Sequence, residues 1–261
     1  PARAEVRARL DRFIPEFRGT TAAPLLVPRT TAHPALVGTA FDYAARMELR
    51  HRARHAQTGP WIAELALPRV SPRRRREAAR AVEAAKRASA RWPSSEGARF
   101  EKIAFHAARI APLDVVYRAG PGIDDDPRPV DIDDVAAEVR ALLEVASPLW
   151  NLAAHRPLLL NPDVCGNLVG GADADIVAGS AMVELKTTKD PVVGRDHLRQ
   201  LAGYACLAAV APDEVFPPID ALAVYLPRFG LLTTFPLLAD REELVDAAWF
   251  LADTWRDRRA A

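Results

Sequence analysis

The chain has 261 residues, of which 49% are hydrophobic and 26% charged, and its formal net charge is +1. That length can bury one sizeable core or two small ones, and the net charge gives no strong bulk attraction to nucleic acid, so the distribution of charge is what matters. No apolar run approaches the roughly 18 residues of a membrane span, the opening PARAEVRARLDRF has no hydrophobic segment of the signal-peptide kind, and Cys165 and Cys206 form no metal-binding spacing, so reduced thiols in a cytoplasmic setting are expected.

In chain order, a short amphipathic helix is expected over the first residues, ending near Pro15, followed by a Pro/Thr-rich loop from Pro24 to Pro34 that contains Arg29, Thr30 and Thr31. Leu36, Ala40, Tyr43, Ala44 and Met47 fall near one face of a helix reaching about Gln57. Ser71-Pro72 is a helix start, with serine at the cap and proline in the first turn; that helix should run to about Trp92. Ser94 or Ser95 caps the next, from Glu96 to about Ile110. The acidic, Pro/Gly-rich segment Gly120 to Asp134 reads as a long surface loop or a boundary.

Beyond it the pattern changes. A helix (Val135 to Val145) precedes an apolar strand (Pro157 to Leu160) and a hairpin over Gly170 to Lys186. A helix through Gln200 and Tyr204 follows, then strands at Ala221 to Leu226 and Leu231 to Phe235, and a helix from Arg241 to Trp255. The expected fold class is therefore α/β, a mixed sheet flanked by helices, with residues 129–261 forming the core and residues 1–128 a helical N-terminal extension packed on it.

The hairpin carries the chemistry. Residues two apart in a strand share a face, so Asp173 pairs with Asp175, and Glu184 with Lys186. A turn at Ala178-Gly179-Ser180 brings Asp175 opposite the Glu184/Lys186 end. Two carboxylates and an ammonium then meet beside an apolar sheet, a set able to hold a hard divalent cation and handle a water. The chain has only four lysines, Lys86, Lys102, Lys186 and Lys189, among many arginines; a lysine here suits a task that needs a compact charge with a shiftable pKa. No phosphate-cradling glycine loop, Gly-x-Ser-x-Gly elbow or zinc-type His/Cys cluster is present.

An Asp followed on the next strand by Glu-x-Lys, with Gln200-x-x-x-Tyr204 on the helix after it, resembles the PD-(D/E)XK nuclease superfamily, and the Gln/Tyr element its RecB-like branch. The resemblance implies a restriction-endonuclease-like core and an Mg²⁺- or Mn²⁺-dependent phosphodiester hydrolase, with DNA ahead of RNA as substrate and a protein partner allowed. It implies Asp175, Glu184 and the backbone carbonyl of Leu185 as metal ligands and Lys186 as the group orienting water. Gln200 would be a positioner and Tyr204 a phosphate or base contact. Asp173 is a competing ligand.

The segment Val37 to Arg46, VGTAFDYAAR, is similar to the branch's Gly-x-x-x-His element, with Asp42 where histidine is usual. Asp42 either joins the metal or pairs with Arg46 as an exposed helix residue, and Glu138 is a weaker acidic candidate. His197 belongs either to the site or to a helix cap. Thr187, Arg29, Arg73 and Arg76 are candidate nucleic-acid contacts, through bidentate or hydroxyl binding of phosphates. Some relatives carry a four-cysteine iron–sulfur cluster, which two cysteines cannot supply. The alternative within the same resemblance is a catalytically silent nuclease-fold protein that binds nucleic acid or serves as a subunit.

Overall fold

The computed structural model describes residues 2–16, 23–31, 33–119, 131–212 and 214–260. The expected loop at Gly120 to Asp134 and the boundary between residues 128 and 129 fall mostly or wholly outside the described residues. Among these, ten α-helices and six strands follow in order. They are α1 (Ala2–Asp11), α2 (Pro34–Arg52), β1 (Gln57–Thr58), α3 (Ile62–Ala66), α4 (Pro72–Ala90), α5 (Glu96–Ile110), α6 (Pro112–Ala119), α7 (Ile132–Glu144) and α8 (Ser147–Trp150). Then come β2 (Leu158–Leu160), β3 (Ile176–Ala178), β4 (Ala181–Leu185), α9 (Arg195–Ala209), β5 (Ala221–Leu226), β6 (Leu231–Pro236) and α10 (Arg241–Ala260).

The strands form one mixed sheet in the order β1-β2-β3-β4-β5-β6. β1 and β2 are parallel, as are β4 and β5; the other neighbours are antiparallel. A parallel neighbour needs a crossover, and α9 supplies it between β4 and β5. The β3–β4 hairpin closes on two residues, Gly179 and Ser180, between the paired Ala178 and Ala181. Gly179 has φ +61°, which glycine adopts without the Cβ penalty.

Alternation along the strands feeds two cores. Leu158, Leu160, Ile176, Val183, Ala223 and Tyr225 pack with helices α2, α4, α5 and α7, through residues such as Phe41, Val82, Ile103 and Leu142. Leu159, Val177, Met182, Leu222 and Val224 point the other way, onto α1, α9 and α10, through Leu10, Leu201, Ala205 and Leu244. The result is an α/β fold of three layers, with a six-stranded mixed sheet between two helical ones. Residues before 120 contribute an edge strand and most of one helical layer, so both halves of the chain share one core. No helix among the described residues is long and apolar enough to cross a membrane.

Two polar anchors sit inside this frame. Arg228 and Glu138 are both buried and paired. Glu138 Oε2 also accepts from Thr30 N–H (2.9 Å), Thr30 Oγ1 (2.9 Å) and Thr31 N–H (2.8 Å). Burial pushes the Glu138 carboxyl up, but the bonds from Arg228, Thr31 and Thr30 outweigh it and hold the group below its ordinary value. Glu138 therefore docks the loop before α2, and the Thr30 N–H, the Thr30 hydroxyl and the Thr31 N–H are spent on it. The metal-ligand role considered for Glu138 is not the one this geometry serves.

Candidate active site

Register places Ile176 opposite Val183, so Asp175, one residue before β3, stands across from Glu184. Both have the parity of Val177 and Met182, the face covered by α9. Lys186 continues the ladder past β4 by donating its N–H to the Tyr225 carbonyl (2.9 Å), and it shares that face with Glu184. The end of β4 thus collects the three charged groups.

Asp175 is fixed from two sides. Its carbonyl accepts from Asn161 N–H (2.8 Å) and its Oδ2 from Leu185 N–H (2.7 Å). Asn161 is itself held in a left-handed conformation (φ +52°) just beyond β2, with its amide donating to the Pro60 carbonyl. Glu184 Oε1 meets Lys186 Nζ at 2.5 Å and accepts from Gln200 Nε2 at 3.2 Å. Gln200 also accepts from Lys186 Nζ (3.2 Å) and donates to Tyr204 Oη (2.9 Å). Gln200 and Tyr204, one turn apart on α9, therefore join the sheet's charged end in one continuous network.

Asp42 comes from the opposite layer. The early turns of α2 run past the chain leaving β4, where a Cβ on Gly38 would lie 3.8 Å from Thr187 Cβ. Asp42 pairs with Arg46, whose side chain is 4% exposed against 21% for Asp42. The pair is thus recessed in the protein, not laid out on a solvated helix. Burial raises the Asp42 pKa to about 8, with Asp175, Asp114 and Glu184 adding to the rise and Arg46 opposing it. Burial likewise lifts Glu184 to about 7, with Asp175 pushing the same way and Lys186 and Gln200 opposing. Asp175 is raised by burial against the pull of the Leu185 N–H, Arg46, Lys186 and Arg118. Asp175 and Glu184 thus oppose the ionisation of Asp42, and Asp175 that of Glu184, and carboxyls gathered in this way are concentrated at functional sites.

Two oxygens in the cluster, Asp42 Oδ1 and Glu184 Oε2, are buried and have no hydrogen-bond partner among the described residues. Such atoms are costly unless something positive meets them. The donors are hard carboxylates, which suit Mg²⁺ or Mn²⁺. Among the described residues no three His, Cys, Asp or Glu side chains converge as a ready metal cage, and Lys186 already occupies Glu184 Oε1. The set fits a divalent cation by chemistry and orphaned oxygens, with rotamer adjustment needed to complete coordination.

The other candidates are distributed as follows. Asp173 bridges to Asp163; partial burial and the Asp163 charge raise its pKa, and register puts Asp175, not Asp173, opposite Glu184. His197 Nδ1 accepts from Gly194 N–H (3.2 Å) and caps α9. Thr187 is half-buried one residue past Lys186. Arg29 lies in the loop docked on Glu138 and donates to the Thr31 carbonyl (3.0 Å). Arg73 and Arg76 are exposed near the start of α4, which packs mainly on α5, so neither is drawn into the carboxylate network.

Sequence reasoning missed three contributors. Arg46, which the sequence offers only as a surface partner of Asp42, is the buried cation facing it. Asp114, on α6, accepts from Tyr43 Oη (2.5 Å) and lies near Arg118 (3.7 Å), adding charge behind Asp42. Asn161 fixes the Asp175 backbone; the Asn-Pro dipeptide after an apolar run was the available signal, since it marks a strand end.

By fold and site the chain is an α/β protein with an acidic, lysine-containing cluster at the carboxyl end of a sheet strand, where open α/β sheets place ligands. Comparison with protein-family models, with curated proteins and with solved structures finds no match.

Proposed function

We propose that the chain is an Mg²⁺- or Mn²⁺-dependent phosphodiester hydrolase acting on DNA, built on a restriction-endonuclease-like core of the PD-(D/E)XK, RecB-like kind. The observation that carries the reading is the convergence of Asp175, Glu184, Lys186 and Gln200 on one face at the end of β4, next to two buried, unpartnered carboxyl oxygens. A bound Mg²⁺ or Mn²⁺ supplies a Lewis acid for the phosphodiester and its attacking water. Asp175 and Glu184 hold the ion, with Asp42 as a third acid and the Leu185 carbonyl as the backbone ligand that the resemblance implies. Lys186 orients the water and offsets charge developing on the phosphoryl oxygens. Gln200 keeps Lys186 and Glu184 in register, and Tyr204 steadies Gln200 and faces the substrate. Thr187, Arg29, Arg73 and Arg76 are the proposed phosphate contacts, the last three belonging to a footprint wider than the cluster.

The test is cleavage of plasmid and of single-stranded DNA with Mg²⁺, with Mn²⁺ and with chelator, alongside Mn²⁺ binding followed by electron paramagnetic resonance. Metal-dependent cleavage, lost with Asp175→Ala and Glu184→Ala, is expected; Asp173→Ala should only weaken it.

The ion pair between Lys186 and Glu184 favours a second reading, a catalytically silent nuclease-fold protein that binds nucleic acid or serves in a larger complex. Nucleic-acid binding with no Mn²⁺ signal and no cleavage would select it.

A further inference from the structure

On the α9 side of the sheet, a cavity of about 400 Å³ opens between α1, α9 and α10. Gln200 and Tyr204 line it, so it shares a wall with the cluster described above. Its floor is apolar, formed by residues such as Val6, Leu10, Leu207 and Leu251. Four arginines, Arg3, Arg7, Arg199 and Arg258, stand around it, and among the described residues no acidic side chain lines it. Arg199 is committed to Asp11 and Asp196, and Arg7 acts on Asp196; Arg3 and Arg258 are exposed and make no ion pair among the described residues. Trp255 lines the same cavity and is 38% exposed. One side of its ring is set against Gly170, where a Cβ would come within 2.3 Å of it. A glycine with φ +81° is thus what lets the indole lie there.

We propose that this groove holds single-stranded nucleic acid beside the cluster, Arg3, Arg7 and Arg258 contacting phosphates and Trp255 stacking on a base. The inference rests on the hydrolase reading for the identity of the polymer. A chain that alternates anionic phosphates with flat apolar bases needs an apolar floor, a ring and a cationic rim together, as strand-binding grooves provide. A duplex keeps its bases stacked inside and would offer this floor only charge. An acidic peptide would use the arginines but leave the indole and the leucines without a partner.

The test is fluorescence anisotropy of a labelled oligo(dT) of about 12 nucleotides with the full chain in chelator, so that binding is read without cleavage. Arg3→Ala combined with Arg258→Ala should weaken binding about ten-fold and flatten the log K against log salt slope by about 1.4, roughly 0.7 per lost contact. Trp255→Ala should weaken it by a similar factor, about ten-fold, with the slope unchanged, and Trp255→Phe should restore most of it. If Trp255→Ala fails to fold, the arginine pair, being exposed, still decides. Affinity unmoved by these substitutions would overturn the proposal, as would no binding at all, or equal competition by a duplex or by polyglutamate. Strand binding through these residues with no cleavage in Mg²⁺ keeps the groove and sinks the hydrolase reading; cleavage with binding indifferent to them does the reverse.

Discussion

At the scale of single residues, the cluster holds its carboxyls at a cost to the protein's stability. In the unfolded chain Glu184 titrates near the ordinary glutamate value of about 4.3, whereas in the folded chain burial and Asp175 raise it to about 7. A raised folded value means the group's stabilisation is complete below the unfolded value and is lost as pH climbs through the folded one. Glu184→Gln should therefore stabilise the protein, in chelator, at pH above about 8, by about 1–3 kcal/mol, and on the proposed hydrolase reading it should abolish cleavage. Urea unfolding at about pH 6 and pH 8.5 checks this, and a gain of equal size at both would contradict it. On the proposed hydrolase reading, Lys186→Ala should lower turnover roughly 100- to 1,000-fold, the range for losing one preorganised charge-stabilising group, and Lys186→Arg should not restore it, because a planar guanidinium does not fit a point-charge role. Each acid also has one oxygen engaged: Asp42 Oδ2 by Arg46, Asp175 Oδ2 by Leu185 N–H, Glu184 Oε1 by Lys186 and Gln200. Single-oxygen ligation suits the compact octahedral shell of Mg²⁺ better than the bidentate ligation common around Ca²⁺, so calorimetric titration should find Mg²⁺ or Mn²⁺ ahead of Ca²⁺.

At the scale of elements, the loop before α2 depends on one buried carboxylate. Glu138 and Arg228 are both almost wholly enclosed, and removing one partner of such a pair leaves an unpaired buried charge. Glu138→Ala should cost about 3–5 kcal/mol, read by denaturant unfolding. Because the Glu138 value is depressed, its contribution is present above the ordinary glutamate range and lost as pH falls through the folded value. Elements whose ends carry strong punctuation were legible from sequence. Helix α5 begins behind the Ser95 cap and spans Glu96–Ile110 as expected, and β5 occupies Ala221–Leu226 between a proline-containing segment and the Pro227 turn. The hairpin could be read from Gly179 and the alternation around it. Strand β1 could not, since two residues carry no periodicity and its partner β2 lies about a hundred positions away. Helices α3 and α6 were hidden among prolines for the same want of length. In the site, the Asp175/Glu184/Lys186 neighbourhood was readable because a strand has a period of two. The burial of Arg46 was not, because an i,i+4 ion pair looks alike in sequence whether it faces water or a second layer of structure.

At the scale of the molecule, the sheet is covered by helices drawn from both sides of residues 120–130. Phe41, Ile103 and Ala107 pack in one cluster with Ile176, Val183 and Tyr225. Residues 129–261 expressed alone would expose the sheet face that α2 and α5 cover and should show no cooperative melting; a sharp transition by circular dichroism would contradict this. The placement of Asp42 carries this further. It rides on α2, in one helical layer, while Gln200 rides on α9, in the other, with the strands between them. No single element can keep those two side chains at their working separation; only the whole sandwich does. A slight slackening of either layer would misalign them long before any helix melts. In rising urea, Mn²⁺ affinity should accordingly fade at concentrations where far-ultraviolet ellipticity is still flat.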